Sequence, residues 1–254
     1  DRDIHPQHHP EARRRQMKCL IVAAGQGTRL RERGLLKPLI PIKGSPLIER
    51  VMERGRAAGI TEFVVVSGYR GEELRAAVDV LAARVGVAVS HVANDEWERA
   101  NGVSVHKAKA LLTEPFLLTM CDHLVDPGIF QGLMALRPEP DTVTLAVDFN
   151  IERPLNDPED VTRVKCVDGR IVHIGKVIRD FNAFDTGVFL CTPGMFAALE
   201  ESQAKGDDSI SGAMNVLAGW KKACVHDIGD RFWIDVDDPA AFEKAEKLLD
   251  AGQL

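Results

Sequence analysis

From Lys18 to Asp122 short apolar runs alternate with amphipathic stretches, and that alternation admits few folds. Residues 18–24 (KCLIVAA) form a continuous apolar run that breaks at Gly25, as a strand buried on both faces would. Ser45-Pro46 reads as an N-cap followed by proline at the first helical position. Leu47, Ile48, Val51 and Met52 then share one face, and Gly59 marks the stop. Residues 62–67 (EFVVVS) read as a second strand, and Leu74, Ala77, Val78 and Leu81 as the apolar stripe of the next helix. A third strand at 87–92, a helix at 103–112 and a fourth strand at 116–120, ending at Asp122, complete the series. Repeated β-α units predict an α/β fold of Rossmann-like type, with a mostly parallel, mixed sheet and helices on both faces.

The second half changes character. Strand candidates at 142–147, 161–167 and 170–174 lie close together, the last two separated by Asp168-Gly169, a strong hairpin signal. A strand at 184–190, helices at 193–203 and 210–218, a strand at 232–236 and a final helix from Pro239 follow. No repeat or linker interrupts residues 17–254, which read as a single domain. Residues 1–16 hold His5, His8 and His9 among four arginines and two prolines with no apolar period, and read as a disordered leader before Met17.

The 254 residues carry 32 basic and 38 acidic side chains, a formal net charge of −6, which argues against a nucleic-acid binder but not against small phosphorylated ligands. With 45% hydrophobic and 28% charged residues, disorder is excluded and a large core is expected. Cysteines at 19, 121, 166, 191 and 224 are odd in number, scattered and without a C-x-x-C pair. That excludes a zinc knuckle or disulfide framework and points to a reducing, cytoplasmic setting. No apolar run approaches the roughly 20 residues a membrane helix needs, so no membrane insertion is expected.

Directly after the first strand comes Ala23-Ala24-Gly25-Gln26-Gly27-Thr28-Arg29. Glycines there let the backbone turn and point N–H groups at an anion, and Arg29 can grip a phosphate with two donors. A dinucleotide fingerprint would need a third glycine where Leu30 stands and an acid where Ser67-Gly68 stands. A Walker loop is absent. A plain glycine turn is the bland alternative, and Thr28-Arg29 with Lys37-Pro38-Leu39 close behind weighs against it.

With those residues in view, the chain resembles the sugar-phosphate nucleotidyltransferases. The resemblance runs through Gly25-x-Gly27-Thr28-Arg29-Leu30, Lys37-Pro38-Leu39, Gly44-x-Pro46-Leu47-Ile48, Asn101-Gly102-x-Ser104, Asp122-His123, Ile174-Gly175-Lys176, Asp185-Thr186-Gly187 and Trp233-Ile234-Asp235-Val236-Asp237. Within that superfamily the chain is most similar to the CTP:inositol-1-phosphate cytidylyltransferases. The resemblance implies transfer of CMP from CTP to a phosphorylated polyol, release of pyrophosphate and dependence on magnesium.

It also implies roles. Gly25, Gly27 and Thr28 would cradle the triphosphate, with Arg29 and Lys37 as catalytic cations. Asp122 and Asp235 would hold magnesium, which prefers one or two carboxylates beside phosphates and water. Ala23, Ala24 and Thr119 would meet the nucleoside. Asn101 would read the base beside a close-packed Gly102, or cap its own helix. Lys176 would take the acceptor phosphate and Asp185 its hydroxyls. Asp238 is assigned to cap the last helix; Asp237 stays open. His123 is either an orienting or a structural residue, Cys121 stands where relatives have glycine and is expected to narrow the nucleotide pocket, and Trp97 is expected on a flap over the base. Trp220 and Trp233 read as core or pocket wall.

Rival readings remain. A hexose 1-phosphate, phosphocholine or an aminoalkylphosphonate would be activated by the same chemistry, and a non-catalytic nucleotide-sensing module would keep the fold without needing the metal pair. Relatives are often fused to a membrane CDP-alcohol phosphotransferase; the chain ends at Leu254 without one, so any such transferase is expected to be a separate protein.

Overall fold

In the computed structural model, which describes residues 16–152 and 154–254, the first apolar run forms β1 (Cys19–Ala23), buried along its whole length. Cys19, Ile21 and Ala23 enter one apolar cluster while Leu20, Val22 and Ala24 enter another, so the strand's two-residue period feeds a core on each face. The short hairpin β2 (Pro41–Ile42) and β3 (Ser45–Pro46) leads into α1 (Leu47–Ala57). Then come β4 (Glu62–Ser67), α2 (Gly71–Val85), β5 (Ala88–Ala93), α3 (Asn101–Lys107), β6 (Phe116–Met120), β7 (His123–Val125) and α4 (Pro127–Met134). The second half supplies β8 (Val143–Asp148), β9 (Arg163–Val167), β10 (Arg170–Gly175), β11 (Ala183–Cys191), α5 (Gly194–Ala204), α6 (Ile210–Gly219), β12 (Ala223–Asp227), β13 (Trp233–Asp235) and α7 (Pro239–Asp250).

The main sheet has nine strands in the order β5-β4-β1-β6-β11-β8-β12-β10-β9. Its first four strands are parallel, with Cys19 opposite Phe63 on one side and Leu117 on the other. β11 then runs antiparallel to both β6 and β8. β9 pairs with β10 and also with the start of β11, closing a circuit of five strands. β11 can serve both neighbours because its register breaks between Asp185 and Phe189, where Gly187 takes φ 75°. Separately, β7 and β13 form a two-stranded antiparallel ribbon that sets Asp235 opposite His123.

The α/β reading holds, and so does the Asp168-Gly169 hairpin, both of whose residues have positive φ as a tight turn between twisted strands requires. Several local expectations are corrected. Ser45-Pro46 is strand rather than helix start: Pro46 occupies the N-cap position without a side-chain cap, and α1 begins at Leu47. The helix expected at 103–112 starts earlier and ends at Lys107, a short 3-10 turn covering Lys109–Leu111. β7, α4 and β12 were not expected at all. α4 carries Asp126, whose carboxylate accepts from Gly128 N, and Pro127 at its first position, a start signal present in the sequence. The residues before Met17, with His5, His8 and His9, lie outside the described residues apart from Gln16. Among the described residues no helix is long and apolar enough to cross a membrane.

Candidate active site

The glycine loop follows β1 at the C-terminal edge of the parallel strands, where open α/β sheets bind ligands. Gly25 is exposed with open space where a side chain would point, so a polyanion could approach its backbone. Gly27 is different. It takes φ 63°, and a Cβ there would collide with the Lys37 side chain beneath it. Thr28 and Arg29 are exposed, whereas the Lys37 side chain is only 8% exposed. Ala23 and Ala24 are buried under the loop, and the Ala24 carbonyl accepts from Tyr69 N at 2.9 Å.

Lys37 donates to Asp122 at 2.5 Å and also to Asp237. Arg29 donates to Asp237 as well, and to Asp160 at 2.6 Å. Asp237, open in the sequence, thus bridges the two expected phosphate-binding cations, while Asp238 caps α7 by accepting from Ala241 N at 2.8 Å. Burial opposes charge on Lys37, but Asp122 and Asp237 outweigh it and hold the ammonium well above its usual range.

Asp122 and Asp235 are far apart in sequence, and the β7–β13 ribbon brings them together. Val236 N donates to the Asp122 carbonyl at 2.9 Å. Burial pushes the Asp122 carboxyl up, yet Lys37 and His123 reverse this and hold it below the ordinary carboxylate range. Asp235 goes the other way, raised by burial and by Asp122 despite His123 beside it. Its Oδ1 is buried without a hydrogen-bond partner, and one ligand atom from each of Asp122, His123 and Asp235 lies within 4.8 Å of the others. An orphaned carboxylate oxygen facing another carboxylate suits a hard divalent cation that keeps several waters, so these residues fit magnesium.

His123 is clamped. Its Nδ1 lies 2.8 Å from the Thr186 carbonyl, which can only accept, so Nδ1 carries a proton. Nε2 then lies 3.5 Å from Asp235 and 3.7 Å from Asp122. The ring stacks near Trp233, centroids 6.4 Å apart, and a Cβ at Gly187 would strike its other side. Although burial disfavours the imidazolium, Asp235 and Asp122 push its pKa up to about 10.

Beside the ribbon opens a cleft of about 170 Å³. Lys176, Asp185, Asp160 and Ser211 line it together with His123 and Asp235, so both expected acceptor residues share one cleft with an aspartate expected to hold metal. Lys176 is 59% exposed and pairs with Asp160 at 3.3 Å. Asp185 accepts from Gly187 N at 2.6 Å, and burial pushes its carboxyl up to about 6.

Other expected residues stand elsewhere. Thr119 is wholly buried opposite Ile21, its hydroxyl without a partner, because its place inside the sheet turns it into the core; Met120 reaches the cleft instead. Asn101 does not cap its own helix. Its carbonyl oxygen accepts from Ile210 N at 2.9 Å, tying α3 to the start of α6, and its side chain lines the acceptor cleft. A Cβ on Gly102 would meet the Asp208 carbonyl, so that glycine serves helix packing. Cys121 packs into the core rather than the cleft, its thiol pushed up by burial. Trp97 contacts Tyr69 edge-on at 5.3 Å, and the loop around it is held by Arg99 and Lys107 ion pairs rather than standing as a free flap. Trp233 is core, but Trp220 is 41% exposed at the end of α6.

Three contributors had no local signal. Asn156 donates to the Trp233 carbonyl at 3.1 Å and accepts from Asp235 N at 2.8 Å, pinning the strand that carries Asp235. Asp148 accepts from Trp233 Nε1 at 2.8 Å. Asp160 joins Arg29 to Lys176.

A glycine loop, two cations and two opposed aspartates at one sheet edge define a nucleotidyltransferase. Residues 19–218 match the MobA-like NTP transferase domain, and the chain belongs to that family. It is 38% identical over 236 residues to the bifunctional IPC transferase and DIPP synthase of Rubrobacter xylanophilus, covering 90% of this chain and 51% of that one. The protein of the same name from Aquifex aeolicus is 28% identical over 239 residues, covering 91% and 51%. The chain thus spans about half the length of these curated relatives. The solved inositol-1-phosphate CTP transferase from T. maritima superposes with a TM-score of 0.80 at 28% identity, covering 92% of this chain and 96% of that one.

Proposed function

We propose that this chain transfers CMP from CTP to the phosphate of inositol 1-phosphate, forming CDP-inositol and releasing pyrophosphate. The observation that carries this reading is the single rim on which Arg29 and Lys37, the Asp122–Asp235 pair and the Lys176–Asp185 cleft follow one another. Choice of CTP and inositol phosphate rests on the names of the relatives.

An oxygen of the acceptor phosphate attacks the α-phosphorus and forms a new P–O bond. The bond to the α,β-bridging oxygen breaks, and pyrophosphate leaves with the electron pair. The attacking oxygen is already ionised, so no general base is required, and positioning with charge neutralisation carries the catalysis. The amides from Gly25 to Thr28 and the Arg29 guanidinium hold the triphosphate, and Lys37 lies beside the reacting phosphates. Lys176 holds the acceptor phosphate, and Asp185 accepts from ring hydroxyls. Asp122 and Asp235 would hold magnesium, which would supply charge neutralisation at the reacting phosphates. Oxygen-rich lining by Asp160, Asp185 and Ser211 favours a polyol over a quaternary amine, which asks for a cage of aromatic rings. The free state of all five cysteines supports a cytoplasmic setting.

Pyrophosphate release, measured with magnesium, four NTPs and a panel of phosphorylated acceptors, tests the reading. A signal confined to CTP and inositol 1-phosphate is expected. A signal with phosphocholine or a hexose 1-phosphate instead would overturn the acceptor assignment. Silence across the grid from folded, nucleotide-binding protein would return the chain to the sensor reading.

A further inference from the structure

Asp160 stands between the two phosphate subsites. Its Oδ2 accepts from Arg29 Nη1 at 2.6 Å and its Oδ1 from Lys176 Nζ at 3.3 Å. Arg29 belongs to the glycine loop and Lys176 to the turn after β10, so one carboxylate neutralises a cation from each substrate's side. The backbone around it is fixed: Asp160 N and Val161 N both donate to the Asp157 carbonyl at 3.1 Å, and Glu159 N donates to the Asp157 carboxylate at 3.0 Å. The Asp160 side chain is 34% exposed, with room to rotate into solvent while that turn stays in place. The Arg29 hydrogen bond holds its carboxyl below the ordinary range, so it is anionic at neutral pH.

We infer that Asp160 is a placeholder for substrate phosphate that couples the two subsites. The inference rests on assigning Arg29 to the triphosphate and Lys176 to the acceptor phosphate. An incoming phosphate and the Asp160 carboxylate repel each other and compete for the same donors, so whichever substrate arrives first must turn Asp160 outward. That single movement also removes Asp160 from the other cation. The first substrate bears the cost of opening, the second binds to a site already open, and by linkage the coupling is the same in either order. Asp237, which also pairs with Arg29, does not do this: its second partner is the buried Lys37 on the metal side, and it has no contact with Lys176.

The test is Asp160→Asn, which keeps the shape and removes the charge, with Asp160→Ala in parallel should the amide disturb the turn. Binding is measured in EDTA, where turnover is blocked, for inorganic tripolyphosphate, CTP, inositol 1-phosphate, and CTP in the presence of inositol 1-phosphate. Exposed ion pairs are individually weak, so the variant is expected to bind tripolyphosphate and CTP about three- to tenfold more tightly than the wild type. Inositol 1-phosphate should raise the wild-type affinity for CTP, and that gain should shrink to near unity in the variant. Equal or weaker binding by the variant, or a retained gain, would overturn the inference. A side chain with a merely structural role would not tighten binding on removal. Pyrophosphate release by the wild type with magnesium, CTP and inositol 1-phosphate decides the proposed reaction separately; the tripolyphosphate comparison decides whether Asp160 competes with phosphate for Arg29.

Discussion

The two halves of the site are built differently. On the nucleotide side Gly25, Gly27, Arg29 and Lys37 fall within thirteen residues of chain, seated on a buried parallel strand, and the decisive cation is itself buried. On the acceptor side Lys176, Asp185, Asp160 and Asp235 come from separate elements of an antiparallel region, and Lys176 is mostly exposed. A parallel strand puts its loop at the ligand edge almost automatically. An antiparallel region must use bulges, ribbons and side-chain clamps to aim the same kind of group. The nucleotide side should therefore fail through charge, and the acceptor side through geometry.

The largest effect should come where the halves meet. Asp235→Asn is expected to lower kcat on the order of 10²–10³-fold, with the fold retained by circular dichroism, because one oriented group at a charge-transfer centre is worth that much. Near-normal turnover would remove Asp235 from the metal site. Gly187→Ala tests the geometric half. It places a methyl in a left-handed backbone position against the His123 ring, so a loss of about 1–3 kcal/mol in stability is expected, read by thermal melting, along with reduced turnover. An unchanged melting temperature would mean that the clamp on His123 is loose.

Arg29→Ala is expected to raise the KM for the nucleotide about tenfold while leaving that for the acceptor nearly unchanged, since Lys37 remains to hold charge at the reacting phosphates. Equal effects on both substrates would blur the division between the halves. The smallest effect concerns pH. Burial pushes the Asp185 carboxyl up to about 6, so its charge-assisted acceptance from acceptor hydroxyls is full above that pH and weakens as pH falls through it. The acceptor KM should rise a few-fold between pH 7 and 5, a change absent in Asp185→Asn.

The same contrast governs what could be read from the chain. β1, its glycine loop and the β-α units after it were legible because local period and turn chemistry specify them. Asp238 was legible as a cap for the same reason. Asp160 and Asn156 were not, since their partners lie 131 and 79 residues away and no local pattern marks them. β13 was legible as the strand at 232–236, but β7 is three residues long, too short to show a period, and the pairing of the two brings Asp122 to Asp235. Asn101 and Thr119 stood in familiar surroundings, and helix packing and sheet burial claimed their side chains.

In the proposed reaction one rim joins two phosphate subsites across Asp122 and Asp235, so that a phosphate–phosphate bond forms between them. Phosphorus NMR of the protein with CTP, inositol 1-phosphate and magnesium tests it directly. Loss of the three triphosphate resonances is expected, with growth of two coupled resonances from a bridging diphosphate and free pyrophosphate in equal amount. Hydrolysis of CTP to CMP and pyrophosphate with inositol 1-phosphate unchanged, or no change in any resonance, would contradict it.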